Sequence, residues 1–254
     1  MSRPADGPLL FARYAYPPNA LGYCGPGDSQ SLLELGADPG SVGNDEGLRR
    51  LARRFEGAWP YVELIAAANR IEDPLDLRVV EAYWIGNELL DNVGPAMLDT
   101  SLEERFRARA AIGWRRLVET LDGVAFPHHN FHVFSVYPFV ALLNNGRSDA
   151  PLRVLDQCRI RPGVVEDVTG AEAIVRSRDL AWTGSSLLVG ASRLETVTWQ
   201  RGARSLIAPP RVGEVVALHW DWVCDVLSPG QVTALDKQTA RQLAVVNERV
   251  VSHP

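Results

Sequence analysis

The chain has 254 residues, of which 46% are hydrophobic and 22% are charged. These proportions are typical of an ordinary folded protein and exclude a collagen-like or disordered chain. The formal net charge of -5 supplies no field that would attract phosphate backbones or anionic lipids, so we expect no nucleic-acid partner and no membrane partner. Neither a signal peptide nor an apolar run of about 18 residues is present, which favours a cytoplasmic location.

Apolar residues recur at helical spacing in the first half of the chain. We predict helices over residues 48–55 and 60–71, which are separated at Gly57. Asp73 precedes Pro74 and predicts the start of another helix. The apolar stripe of that helix consists of Leu77, Val80, Trp84, Leu89 and Leu90. A capping box from Thr100 to Glu103 predicts a further helix, with a stripe of Leu102, Phe106, Ile112 and Leu117.

The segment from His128 to Leu143 is strongly apolar, but Pro127 and Pro138 restrict it to short helical or extended pieces. A polar, turn-rich run from Asn144 to Pro151 follows and marks a change of pattern. We therefore predict an all-α N-terminal domain over residues 1–148.

After this boundary the apolar residues alternate with a period of two, which predicts strands. The alternating runs begin near Val164, Ala173, Leu187, Leu194 and Val215. Short strands separated by Gly, Ser and Pro suit a small antiparallel barrel. A capping box at Ser228 and Gln231 then opens a closing helix. Its inner stripe consists of Val232, Leu235, Thr239, Leu243 and Val246. The predicted fold class is α+β, with the β-barrel and its C-terminal helix in residues 152–254.

The three cysteines, Cys24, Cys158 and Cys224, are too widely spaced for a disulfide framework or a CxxC zinc knuckle. Cys24 lies in a turn that ends at the N-cap of a predicted helix over residues 29–35. A helix N-terminus lowers the pKa of a nearby thiol, which makes Cys24 a secondary candidate for reactivity and metal binding. Cys224 is expected to be a core residue on the strand face opposite His219.

His128, His129 and His132 form a local cluster. If the segment is helical, His128 and His132 share one face at a spacing that can bind a metal. The glutamate of an HExxH motif is absent, because Asn130 stands in its place. Capping and core packing remain the alternative interpretation of these histidines.

Two sequence motifs in the second half resemble the HypC/HupF family of [NiFe]-hydrogenase maturation chaperones. The first contains Cys158 followed by Pro162 and Gly163, and the second runs from Val212 and Gly213 to His219. These residues have the order and spacing of the family's motifs over residues 155–247. The whole chain is also similar to a protein type found near hydrogenase genes. The sequence motifs that carry this similarity are YCGPGD, HHNFHVF and HWDWVCD.

The resemblance implies an OB-like barrel and a non-catalytic function. Members of the family handle iron that carries cyanide and carbon monoxide, with a HypD-like scaffold or a hydrogenase large-subunit precursor as partner. Cys158 and His219 would then bind the iron, since soft iron favours thiolate with imidazole as a second donor. Strand alternation places Asp221 on the same face as His219, where it would orient the imidazole. Cys158 departs from the family because it is internal and has no free α-amine.

The alternative hypothesis is a metal- or haem-dependent enzyme whose site lies in the helical domain. Cys24, His128, His129 and His132 are the residues available for that site. The two hypotheses differ in geometry. The enzyme hypothesis expects Cys24 and His129 to share a cavity with Cys158 and His219. The chaperone hypothesis expects Cys158 and His219 to be exposed alone on a surface suited to a partner.

Overall fold

A computed structural model describes residues 6–38, 44–94, 97, 126–136, 138–143 and 149–252. These residues form a mixed helix and sheet structure, with a helical N-terminal part, a five-stranded sheet and a closing C-terminal helix. None of the described helices combines the length and the apolar character needed to cross a membrane. The capping box predicted at Thr100–Glu103, with its following stripe, lies outside the described residues.

The described helices of the N-terminal part are short. They are α1 (Gly7–Ala20), α2 (Ser29–Ala37), α3 (Asn44–Ala52), α4 (Trp59–Ala68) and α5 (Leu77–Trp84), followed by a 3-10 helix (Glu88–Asn92). The helices predicted over residues 48–55 and 60–71 are confirmed as α3 and α4, with ends shifted by a few residues.

Helix α1 is the central helix of this part, and every residue from Gly7 to Asn19 is buried. The Asp6 carboxylate caps its N-terminus by accepting from the Leu9 N–H at 3.0 Å. A Cβ at Gly7 would lie 1.7 Å from the Leu75 carbonyl oxygen, so only glycine permits this close approach. The sequence analysis predicted no helix here, because a helix that is apolar on all sides shows no amphipathic period.

The start of α5 differs from the prediction. Asp76, and not Asp73, is the N-cap residue, since its carboxylate accepts from the Arg78 N–H at 2.9 Å. Asp73 instead accepts from the Leu75 N–H within the preceding turn. The predicted inner residue Leu77 is 43% exposed in the first turn of the helix. The helix ends at Trp84, so Leu89 and Leu90 belong to the 3-10 helix.

The apolar segment after Pro127 forms short helical pieces, as predicted. These are α6 (His129–Phe131), a π-helix (His132–Val136) and α7 (Phe139–Leu143). The next helix, α8 (Asp149–Cys158), begins inside the run that was predicted to be a domain boundary. Cys158 is therefore the last residue of a helix and does not begin a strand.

Five strands follow α8. They are β1 (Arg161–Thr169), β2 (Glu172–Trp182), β3 (Leu187–Thr198), β4 (Val215–His219) and β5 (Trp222–Val226). Their order is β1-β2-β3-β5-β4, and the sheet closes on itself because β1 also pairs with β4. The expectation of a wholly antiparallel sheet needs one correction, since β3 and β5 meet as parallel strands at Thr198 and Trp222. The runs at Leu187 and Leu194 belong to one long strand.

A tight turn separates β4 from β5 where the sequence analysis expected one continuous strand. Trp220 occupies this turn with a φ of 57°, in the left-handed region. The two strands pair antiparallel through His219 and Trp222. The predicted alternation of faces therefore stops at His219 and does not extend to Asp221, which lies exposed in the turn.

The closing helix α9 (Pro229–Ser252) begins with the predicted capping box. The Gln231 N–H donates to Ser228 Oγ at 3.3 Å, and the Ser228 N–H donates to Gln231 Oε1 at 2.8 Å. Four of the five predicted inner residues, Leu235, Thr239, Leu243 and Val246, are buried. The fifth, Val232, is partly buried and packs against the core.

The helical N-terminal part and the sheet share one hydrophobic core. The main cluster of buried residues extends from α1 and α5 to Ala217 on β4, Cys224 on β5 and Leu235 on α9. Arg13 on α1 adds polar contacts with the sheet side, since it donates to Asp225 at 2.8 Å and to the Leu206 carbonyl at 2.9 Å. The two predicted domains are therefore packed against each other through buried residues.

Replacing Leu235 with alanine should destabilise the whole protein. The side chain is fully buried in the shared core, so we expect the free energy of unfolding to fall by about 2–5 kcal/mol. Denaturant unfolding followed by circular dichroism and by tryptophan fluorescence should show one common transition. The control is Leu194→Ala, at a position that is 55% exposed, where a change of about 0.5 kcal/mol or less is expected. Separate transitions for helices and strands would contradict a shared core.

Candidate metal centre

Three potential metal ligands meet where the helical part contacts the sheet. One donor atom each from His129, Cys158 and His219 lies within 4.8 Å of the others. All three residues are buried. They come from α6, the end of α8 and the end of β4, so three separate elements supply the donors.

The pairing of β1 with β4 explains why Cys158 and His219 approach each other. Arg161, three residues after Cys158, is directly opposite Leu218 in the sheet. The turn after His219 is tied to α8, since the Trp220 N–H donates to the Gln157 carbonyl at 2.7 Å. Arg161 also donates to the Trp220 carbonyl at 2.8 Å. These contacts hold the end of β4 beside the end of α8.

The His219 imidazole is oriented by a backbone carbonyl of α1. Its Nδ1 lies 2.7 Å from the Tyr14 carbonyl oxygen. In a regular helix this oxygen would accept from the N–H of residue 18, but Pro18 has no N–H. A carbonyl only accepts, so Nδ1 carries the proton and Nε2 carries the lone pair. That buried Nε2 has no hydrogen-bond partner.

His129 is oriented in the same way by the end of α8. Its Nε2 lies 2.8 Å from the carbonyl oxygen of Cys158. Because Cys158 is the last residue of α8, this carbonyl has no intrahelical partner. Nε2 therefore donates, and the lone pair of the neutral ring is on Nδ1, which is buried without a partner. A histidine whose second nitrogen donates to a carbonyl is the usual arrangement of a metal ligand.

Aromatic side chains surround the two histidines. The Trp84 ring centroid lies 4.7 Å from that of His129 and 5.8 Å from that of His219. Tyr14 stacks on Trp84 with a centroid distance of 5.5 Å. The two imidazole centroids are 5.0 Å apart and the rings are tilted by 74°. These aromatic contacts restrict the rotation of both imidazoles.

Burial controls the ionisation of the three donors. It lowers the pKa of His129 to about 4, and it lowers the pKa of His219 well below the ordinary value, with His129 as a further cause. Burial also raises the pKa of the Cys158 thiol. At neutral pH both histidines are therefore neutral and present a lone pair, whereas the thiol keeps its proton until a cation displaces it.

A small cavity of about 30 Å³ borders the donors. His129 and Cys158 line it, together with Cys24 and His132. Most of the remaining wall is apolar, with Tyr23, Phe55, Tyr83 and Trp84 among its residues. Such a volume holds about one or two water molecules. Cys24 and His129 thus share a cavity with Cys158, and His219 lies directly beside His129.

His128, Asp221 and Cys224 do not belong to the group of three donors. His128 precedes α6 as its N-cap residue, and its Nδ1 accepts from the Asn130 N–H at 3.0 Å. It therefore does not share a helical face with His132, and the capping interpretation describes it correctly. Asp221 is exposed in the β4–β5 turn and does not orient the His219 imidazole as predicted. The Tyr14 carbonyl orients that imidazole instead. Cys224 is a core residue, as expected.

The expectation of a reactive Cys24 is wrong in one respect. A helix N-terminus was expected to lower the pKa of its thiol, but burial raises that pKa to about 12. The N-cap Asp28 of α2 makes no capping hydrogen bond through its side chain. Cys24 is therefore protonated at neutral pH until a cation binds it.

The chain belongs to a described protein family, whose model matches residues 3–253. That family is DUF6390, a family of unknown function. No curated protein and no solved structure matches the chain.

Acid should destabilise the metal-free protein. An unfolded histidine has a pKa near 6.5, whereas folded His129 takes up a proton only near pH 4. The unfolded state therefore binds more protons between these values, and the free energy of unfolding falls as the pH decreases through this window. Each such histidine contributes up to about 1.4 kcal/mol per pH unit.

Urea unfolding at several pH values between 7 and 4 measures this slope. The variant His129→Gln should show a shallower slope than the wild-type protein, since one of the buried neutral histidines is removed. An equal slope in both proteins would show that His129 is protonated in the folded state at its ordinary pKa.

Proposed function

We propose that the protein is a metalloprotein in which His129, Cys158 and His219 bind one thiophilic metal ion. The observation that supports this most strongly is the orientation of the two imidazoles. Each donates one ring nitrogen to a backbone carbonyl and leaves a buried lone pair without a partner beside the Cys158 thiol. What distinguishes these two lone pairs from other unpartnered buried atoms is that both lie close to one thiol, so that one metal ion would satisfy all three donors at once.

The donor set indicates the class of metal. Two imidazoles and a thiolate suit Zn²⁺, copper or Fe²⁺, whereas Mg²⁺ and Ca²⁺ require oxygen ligands. No carboxylate belongs to the group of donors found among the described residues. We therefore expect zinc, copper or iron.

The number of ligands and the adjoining cavity favour a metal-dependent enzyme over a structural metal site with four protein ligands. Three protein ligands leave a further coordination position, and the adjoining cavity offers space for a water molecule at that position. His132 lines the same cavity. Three of the four residues that the enzyme hypothesis places in one cavity, Cys24, His129 and Cys158, line this one, whereas His219 does not.

A second candidate is the hydrogenase-maturation chaperone, with an OB-like barrel, iron bearing cyanide and carbon monoxide, and a HypD-like scaffold or a hydrogenase large-subunit precursor as partner. The approach of Cys158 to His219 favours it. Burial of both residues opposes it, since delivery of the iron would require the site to open. Infrared spectra of protein purified anaerobically from cells that make hydrogenase distinguish the two candidates, because bound cyanide and carbon monoxide absorb where proteins do not.

Replacing Cys158 with serine should weaken metal binding strongly. The protein should stay folded, because the change is nearly isosteric. Structural zinc sites gain about 10–16 kcal/mol from about four ligands, so losing one should weaken binding at least about 100-fold. His219→Ala should weaken binding less, since thiolate is the stronger donor to a soft metal. Competition with a coloured chelator measures the affinity, and metal analysis of untagged protein identifies the natural ion.

The control variant is Cys224→Ser, which removes a buried thiol outside the donor group and should bind metal like the wild-type protein. Circular dichroism establishes that each variant is folded. A folded Cys158→Ser protein that binds metal as tightly as the wild type would refute the proposed site.

Metal binding should release one proton. Both histidines are already neutral, so only the Cys158 thiol must lose its proton when it becomes a ligand. The apparent affinity should therefore rise about tenfold per pH unit near neutrality. Calorimetric titration in buffers of different ionisation enthalpy counts the proton. Binding without release of a proton would contradict the assignment of Cys158 as a thiolate ligand.

A further inference from the structure

The loop between α1 and α2 carries a thiol at the rim of the metal site. Tyr23, Cys24 and Gly25 of this loop line the cavity that His129 and Cys158 also line. Cys24 is only partly buried, whereas the three donors are buried. Its sulfur does not belong to the group of donors that lie within 4.8 Å of one another. Cys24 therefore lies near the donors but closer to solvent.

Specific contacts hold this loop over the cavity. Asn19 donates from Nδ2 to the carbonyls of Cys24 at 2.7 Å and of Pro26 at 2.5 Å. Tyr23 stacks on Trp220 with a centroid distance of 4.2 Å. Gly25 has a φ of 82°, and a Cβ there would lie 2.3 Å from the Phe55 ring. The side chains of Asn19 and Tyr23 and the absence of a side chain at Gly25 therefore hold the loop in this position.

The loop is also the most exposed part of the cavity wall. Tyr23 is 50% exposed although its ring lies on the buried Trp220. Gly22 has a φ of 76°, and no other atom approaches the position of its absent Cβ. The rest of the cavity wall, by contrast, comes mainly from buried residues of helices and from the core residues Phe55 and Ala58. A metal ion that enters from solvent by way of this loop meets Cys24 first.

Two potential metal donors line this cavity besides the Cys158 thiol. Cys24 offers a soft sulfur donor, and His129 has a buried Nδ1 without a hydrogen-bond partner. We propose that Cys24 is the capture ligand of the site, which binds the incoming metal ion and passes it to His129, Cys158 and His219. This inference rests on the proposed metal site.

The transfer is a ligand exchange without any change of oxidation state. Cys24 loses its proton to solvent when its sulfur binds the ion. The bond between the metal and Cys158 then forms while the bond to Cys24 breaks, and the proton of the Cys158 thiol moves to the Cys24 thiolate. One proton is released in total, and Cys24 is again a thiol at the end. A ligand of this kind changes the rate of binding and leaves the equilibrium affinity unchanged.

Stopped-flow mixing of the metal-free protein with Co²⁺ under anaerobic conditions tests the inference, because cobalt bound to thiolate is coloured. Cys24→Ser should slow uptake at least about tenfold and should slow removal by a chelator by the same factor, which leaves the affinity within about threefold. The final cobalt spectrum should be that of the wild type. Cys24→His, which restores a metal donor, should recover much of the rate. Cys224→Ser serves as the matched control for losing one thiol and should keep the wild-type rate.

Three results would overturn the inference. Unchanged uptake in Cys24→Ser shows that the ion does not pass through Cys24. A large loss of affinity with an altered cobalt spectrum shows that Cys24 is a permanent ligand. Failure of the wild-type protein to bind Co²⁺, Zn²⁺ or copper refutes the metal site itself and the capture function with it, and this result is distinct from the first two.

Discussion

Two backbone carbonyls determine the tautomer and the orientation of the two histidines in the candidate site. The Tyr14 carbonyl is free because Pro18 cannot donate to it, and the Cys158 carbonyl is free because α8 ends there. Each accepts from one nitrogen of a buried histidine. Without these acceptors, His219 and His129 would each bury a further unpaired nitrogen, at a cost of about 1–3 kcal/mol. With them, both rings have a fixed tautomer, and their remaining lone pairs lie beside one thiol.

The same contacts connect the two halves of the molecule. Tyr14 belongs to α1, which lies in the centre of the helical part, whereas His219 belongs to the sheet. The hydrogen bond between them crosses the shared core, close to the Trp84 ring that contacts both histidines. The metal site and the packing of helices on the sheet therefore depend on each other. We expect metal binding to stabilise the protein as a whole, since a ligand that binds only the folded state raises its stability.

Neither carbonyl is a proposed metal ligand, but both are needed to orient the imidazole rings so that their lone pairs lie beside the thiol. The imidazole rings become ordered when the protein folds. An incoming metal ion would therefore find both histidines already in position. Such preorganisation raises affinity because little side-chain freedom is lost on binding. In the proposed site the thiols of Cys158 and Cys24 are the groups that must still change, since each would give up its proton to become a ligand.

Local patterns in the sequence determined much of the fold. Helical spacing located α3 and α4, the capping box at Ser228 located α9, and alternation located the strands, because each signal depends on neighbouring residues only. The double motif also singled out Cys158 and His219. The sequence did not reveal α1, whose apolar residues show no period, or the turn at Trp220, where a left-handed residue other than glycine is held by contacts with Gln157 and Arg161. Only the tertiary structure selected His129 among three neighbouring histidines, because that choice depends on which ring reaches the free carbonyl at the end of α8.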